Sequence, residues 1–150
     1  MEPVGTLTEG ARLLRPGGVF AAIDNDWPPT VDWEAEALDR VFAQNAAKLT
    51  AAGNYNRGLK QWRKDEHMER ISASGHFRYT KEIAVHNVEQ GNADRLVGLA
   101  LSQGTIQTLL KSGITEEQLG VPAFRAEAKR ILGDAPQPWY FIYRIRIGVK

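Results

Sequence analysis

An α/β fold is what this sequence of 150 residues predicts. Three observations carry it. Segments with apolar residues at helical spacing alternate with short strand-like apolar runs. The run Val19 to Ile23 follows a Pro16-Gly17-Gly18 turn, so a helix gives way to a buried strand within a few residues. The segment Trp139 to Val149 is dense in aromatic and β-branched residues. It alternates Tyr143, Ile145, Ile147 and Val149 with Arg144 and Arg146, which gives one apolar and one basic face.

The first helix is expected over Thr6 to Leu14, because Thr6-Leu7-Thr8-Glu9 is a capping-box pattern. Pro16 cannot continue that helix, and the two glycines supply the turn. Val19 to Ile23 is continuously apolar, as in a strand covered on both faces. Asp24 to Thr30 holds two prolines and several short polar residues and reads as a loop. Asp32 caps a long helix from about Trp33 to Leu49, with Ala37, Leu38, Val41, Phe42 and Leu49 at helical spacing and Gly53-Asn54 ending it. Asn54 to Glu66 is polar and basic and carries no clear periodicity. Met68 to Ala73 makes a turn of helix, broken by Ser74-Gly75, and Phe77 to Val85 reads as a strand. Asn92 caps a helix running to Lys111 and stopped by Gly113. Thr115 and Gln118 form a second capping box, and Pro122 opens a helix that Gly133 ends.

Composition excludes several classes. A net charge of +1 argues for neither nucleic acid nor a membrane surface as partner. No cysteine is present, so there is no disulfide framework, thiolate nucleophile or Cys-based metal site. No run approaches about 20 apolar residues, and no basic segment with an apolar core opens the chain, so a cytoplasmic location is the default.

The stretch TLTEGARLLRPGGVFAAID, Thr6 to Asp24, is similar to the late helix–turn–strand motif of class I S-adenosylmethionine-dependent methyltransferases. There a helix ending in L-(K/R)-P-G-G leads into a hydrophobic strand with an acidic end. SGHFRYTKEIAVHNVE, ADRLVGLALSQG and PWYFIYRIRIGVK resemble, in order, the family's sixth strand, a substrate-covering helical insert and the last strand. The resemblance covers essentially the whole chain but only about half of the family's domain. It implies a partial Rossmann-like methyltransferase sheet of three C-terminal strands with a helical insert. The first and second strands would be parallel, and the last would lie antiparallel between them. Residues 1–150 would form one partial domain, with helical substrate-side inserts at about 33–73 and 92–133.

The family's glycine-rich cofactor loop and ribose-binding acid lie in its first half, and no strand followed by G-x-G-x-x-G occurs here. The resemblance therefore implies methyl transfer from S-adenosylmethionine to a small-molecule acceptor, by a chain expected to be inactive without the N-terminal cofactor-binding half. The alternative is a non-enzymatic dimerisation or partner-binding module built on that fold. A third, weaker reading is a stand-alone ligand-binding domain with the helical insert as a lid. An apolar first strand with an unpaired edge is expected to form a homodimer or to pair with the missing half.

Candidate site residues follow from position. Asp24, Asn25, Asp26 and Trp27 sit at the carboxyl end of a strand, where α/β sheets bind ligands. Otherwise they make turn hydrogen bonds and pack locally. His86 ends a strand and could face a cleft as a general base. His67 lies in a polar, solvated segment, and His76 precedes a strand. Ser102 and Gln103, with Gly104, interrupt an apolar helix face that the resembled family places near the substrate, unless they are merely tolerated there. Trp33, Trp62 and Trp139 are expected in the core. The basic stretch Arg57, Lys60, Arg63 and Lys64 reads as a solvated surface. No metal-ligand spacing and no nucleophile–base–orienter set is present. Transfer from a sulfonium needs mainly positioning and exclusion of water.

Overall fold

The computed structural model describes residues 2–53, 55 and 62–150. In chain order the elements are α1 (Pro3–Leu13), β1 (Val19–Asn25), α2 (Trp33–Gly53), α3 (His67–Ala73), β2 (Tyr79–Gly91), α4 (Ala93–Leu101), α5 (Gly104–Lys111), α6 (Glu116–Leu119), α7 (Val121–Leu132) and β3 (Gln137–Val149). They form two compact units. The first comprises Met1–Trp27, Lys60–Asn87 and Phe141–Lys150; the second comprises Pro28–Leu59 and Val88–Tyr140. Strands β2 and β3 contribute residues to both.

In the first unit the sheet order is β1-β3-β2. β3 runs antiparallel to β1, with Val19 opposite Val149 and Asn25 opposite Tyr143. The Arg78 amide donates to the Val149 carbonyl at 2.9 Å, and Glu82 meets Arg146, so β2 ascends as β3 descends. β1 and β2 are therefore parallel, with β3 reversed between them. That is the arrangement the methyltransferase resemblance implied.

Helix α1 starts earlier than the capping-box pattern predicts. Pro3 occupies the first turn, and the Glu2 carboxylate accepts the amides of Val4 at 2.8 Å and Gly5 at 2.6 Å. The Thr6 hydroxyl is not a cap; it donates back to the Glu2 carbonyl at 2.6 Å. Gly17 holds φ +79°, the left-handed geometry the turn needs, whereas Gly18 is excluded from bearing a side chain by the Arg15 carbonyl, 2.9 Å from where a Cβ would sit. Lys150 ties the turn to the end of β3. Its Nζ donates to the Ala11 carbonyl in the last turn of α1 at 2.6 Å and to the carbonyl of the C-cap residue Leu14 at 2.8 Å, so a cation sits at the negative end of the helix.

α1 and α3 pack together, burying Leu7, Ala11 and Ile71. Phe20 of β1 lies 5.7 Å from Phe77, whose ring fills the space a side chain at Gly148 would need. The other face of the sheet differs from expectation. β1 is covered on one face only: Val19 is 55% and Ile23 63% exposed, beside exposed Ile83 and Val85 of β2. Alternation along the strands puts these apolar side chains on one face. β1 is also an edge strand. Asp24 and Asn25 belong to it rather than to the following loop.

The second unit is mainly helical. Asp32 caps α2, accepting the Glu34 amide at 2.8 Å and the Ala35 amide at 3.2 Å. The buried stripe Ala35, Asp39, Phe42, Ala46 and Thr50 faces α5 and α7, with Phe42 stacked on Phe124 at 4.4 Å. Trp33 lies off that stripe and is 88% exposed, so it is not a core anchor. The single helix expected from Asn92 to Lys111 is two. The Ser102 hydroxyl donates to the Leu99 carbonyl at 2.7 Å, and the next helix starts at Gly104. The Asn92 cap and the Thr115–Gln118 capping box form as read. Among the described residues no helix is long and apolar enough to cross a membrane.

Trp139 anchors this unit and is fully buried. Gly91 lies against its indole, where an added Cβ would stand 2.5 Å from the ring. A close-packed aromatic cannot give way without moving its neighbours. Gly91→Ala is therefore expected to destabilise by about 1–3 kcal/mol, read as a lowered midpoint in chemical denaturation, whereas an unchanged midpoint would show that the indole moves freely.

Candidate functional site

The carboxyl end of β1 opens onto a cleft of about 540 Å³ within the first unit. It is lined by Asp24, Asn25, Asp26 and Trp27, which β1 and its exit supply, by Glu82 of β2, and by Arg144 and Arg146 of β3. Lys64 and Asp65 complete it. The register explains the grouping. Asp24 stands opposite Arg144, and Ala22 opposite Arg146, so acids of one strand meet guanidinium groups of the next.

Arg146 is 3% exposed and lies on the central strand. Its Nη1 donates to Asp24 Oδ1 at 2.6 Å and its Nε to Glu82 Oε2 at 2.6 Å. One buried guanidinium thus bridges all three strands. Arg144 is more exposed and donates through Nε to Asp26 at 2.9 and 3.2 Å, while its Nη1 lies 3.6 Å from Glu82. The result is a continuous chain of alternating charges, Asp24–Arg146–Glu82–Arg144–Asp26. The Asp26 amide also donates to the Ile142 carbonyl at 2.8 Å, which fixes the exit of β1. On the rim, the Arg63 guanidinium holds the Asp65 carboxyl below its usual range.

His67 opens α3 and is half-buried rather than solvated. Burial, aided by the nearby charges of Arg146 and Arg70 and opposed by Asp24, pushes its imidazole below the ordinary histidine value. It is therefore the neutral form that faces its surroundings near neutral pH.

The remaining candidates lie elsewhere. His86 is exposed in the middle part of β2 and does not line the cleft. Ser102 and Gln103 are exposed at the α4–α5 junction in the second unit, where Ser102 closes one helix and Gln103 precedes the next. His76 accepts or donates one contact with the Thr8 hydroxyl at 3.2 Å. Arg57 and Lys60 fall outside the described residues. Among the described residues no group of His, Asp and Glu could hold a metal ion. Glu82, Arg144 and Arg146 are the lining residues that the sequence did not single out. The basic face of the last strand was their signal, but not their partners.

The cleft does not make a cradle for S-adenosylmethionine. No glycine-rich turn joins a strand to a helix N-terminus among the described residues, and the acids at the end of β1 are already bound by Arg144 and Arg146. No chemical step through that cofactor is derived from these residues.

No protein-family model matches the chain, and no curated protein does. A solved structure from Anaeromyxobacter dehalogenans, provisionally named a type II methyltransferase, resembles it with a TM-score of 0.54 at 20% sequence identity. The match covers 95% of this chain and 57% of that one. At that identity the likeness speaks for the fold: this chain has a methyltransferase-like α/β fold, and it spans a little over half of the neighbour's length.

Two predictions follow from the site. Replacing Arg146 by Ala leaves Asp24 and Glu82 without their shared cation and should destabilise the chain by about 3–5 kcal/mol, measured by denaturant titration. A loss under about 1 kcal/mol would show the bridge to be solvated and weak. The second concerns pH. With its folded pKa depressed, His67 is neutral in both states at high pH. As pH falls through about 6.5 the unfolded chain takes up the proton first, so stability drops towards acid. His67→Gln should flatten the fall in stability between about pH 7.5 and about pH 5.5. An identical slope in the variant would remove His67 from the account.

Proposed function

We propose that this chain is the C-terminal half of a class I S-adenosylmethionine-dependent methyltransferase of small-molecule type, inactive without a cofactor-binding half. The observation that carries the reading is the strand order β1-β3-β2 with β3 reversed between two parallel strands. The acid-and-arginine cleft at the carboxyl end of β1 supports it, since ligands in open α/β sheets bind outside those ends. Asp24, Asn25, Asp26 and Trp27 would line the acceptor side of the site. The neighbour's methyltransferase name agrees in kind. Such a protein would work in the cytoplasm.

A second reading has its own observation. The exposed edge of β1 and the uncovered face bearing Val19, Ile23, Ile83 and Val85 form an apolar surface that water disfavours. A module that pairs through this surface, with a second copy or with a cofactor-binding half, needs no chemistry of its own.

Calorimetry separates cofactor use from pairing. Titrating S-adenosylmethionine into the chain should give no micromolar binding, because the glycine loop and ribose acid that make most of its contacts are absent from the sequence. Micromolar or tighter binding would overturn the half-enzyme reading. Sedimentation of the chain at micromolar concentration should show a dimer or larger species. A stable, cooperatively folding monomer would contradict the pairing surface.

A further inference from the structure

A second recess lies in the first unit, on the helix-covered side of β1. Its volume is about 180 Å³, and Leu7, Phe20, Ala22, Trp62 and Ile71 make most of its wall. It lies beside buried Leu7 and Ile71, which are 6% and 2% exposed. A cavity of about 150 Å³ is enough to hold a benzene molecule, so this recess, open to solvent on one side, has room for one aromatic ring.

Besides the Trp62 indole, three polar side chains border it, and two are already engaged. The Thr6 hydroxyl donates to the Glu2 carbonyl at 2.6 Å. Arg70 pairs with Glu66, donates to the Arg63 carbonyl at 2.9 Å and lies over the Trp62 ring at 5.6 Å. The third is His67, whose imidazole has no hydrogen-bond partner among the described residues. A neutral imidazole offers one donor and one acceptor. A half-buried ring with no protein partner at either nitrogen among the described residues, beside an apolar recess, is the arrangement that orients a ligand: shape from the walls, direction from a polar group at the edge.

We propose that this recess binds a small neutral aromatic molecule carrying one hydroxyl group, a phenol, with its ring against Phe20, Ala22 and Ile71 and its hydroxyl on the His67 imidazole. A carboxylate is disfavoured, because the one guanidinium at the recess is already paired with Glu66. A second aromatic ring would exceed the space. The site is independent of methyl transfer. Ala22 lines the recess while Asp24, two residues on along the same face of β1, lines the charged cleft, so the two are neighbours with opposite character.

Phenol, benzene and benzoate titrated into the full chain, followed by the methyl signals of Leu7, Ala22 and Ile71, test the assignment with no methyl donor present. Phenol should give saturable shifts confined to these methyls and bind about fivefold more tightly than benzene, the gain expected of one net hydrogen bond. His67→Phe should abolish that preference while benzene still binds. Ala22→Leu, with folding checked by circular dichroism, should abolish binding of both. If Ala22→Leu does not fold, the phenol-to-benzene ratio in His67→Phe still decides. Shifts that never saturate, a preference for benzoate, or an unchanged ratio in His67→Phe would each overturn the proposal.

Discussion

The first unit depends on one buried guanidinium. Arg146 sits on the central strand and holds a carboxylate on each side, Asp24 on β1 and Glu82 on β2, at 2.6 Å each. Removing a cation of this kind from water carries a penalty of several kcal/mol, which the lattice of two carboxylates and the strand register must offset. The arrangement is strict in consequence. A one-residue slip of β1 against β3 would turn Asp24 to the other face and leave Arg146 without one of its partners. The pair of ladders and the pair of ion pairs thus specify the same register.

From that register the rest of the site follows. Arg144, two residues before Arg146, reaches Asp26 as β1 ends, so the cleft forms where the strand stops. In the other direction along the same face, Ala22 and Phe20 are apolar and stand under α1 and α3, where the smaller recess lies. Lys150 then closes the unit by capping α1 with the chain that leaves β3. One strand face therefore grades from hydrophobic to ionic over a few residues. On the opposite face of β1, Val19 and Ile23 are exposed to solvent.

Local chemistry was legible in the sequence because it is encoded within a few residues. The Asp32 and Asn92 caps and the Thr115–Gln118 box rest on side chains close to the backbone they satisfy, and the Gly17 turn and Gly133 stop on a positive φ. Strand order was not readable from spacing. It came from the resemblance of the Thr6–Asp24 and Pro138–Lys150 stretches to a family, since β1 and β3 are separated by more than a hundred residues. The apolar run Val19 to Ile23 signals burial in some sheet but cannot say which elements cover it. The break at Ser102 is not readable because apolar residues at helical spacing resume at Ile106, so Ser102, Gln103 and Gly104 look like an interruption within one helix. Glu82 gave no sign of its role, as an acid on an exposed-looking strand differs from its neighbours only through a partner 64 residues away. His67 was read as solvated because its sequence neighbours are polar, while its walls come from α1 and β1.

Amide hydrogen exchange in Arg146→Met tests the central role of the bridge most directly. Methionine keeps much of the side-chain volume and removes the charge. If Arg146 fixes the register of both neighbours, protection should fall together in β1, across Val19 to Asp24, and in the first half of β2, while α4 and α7 of the second unit keep theirs. Protection unchanged in both strands would contradict the account and show that backbone pairing alone holds the sheet in place.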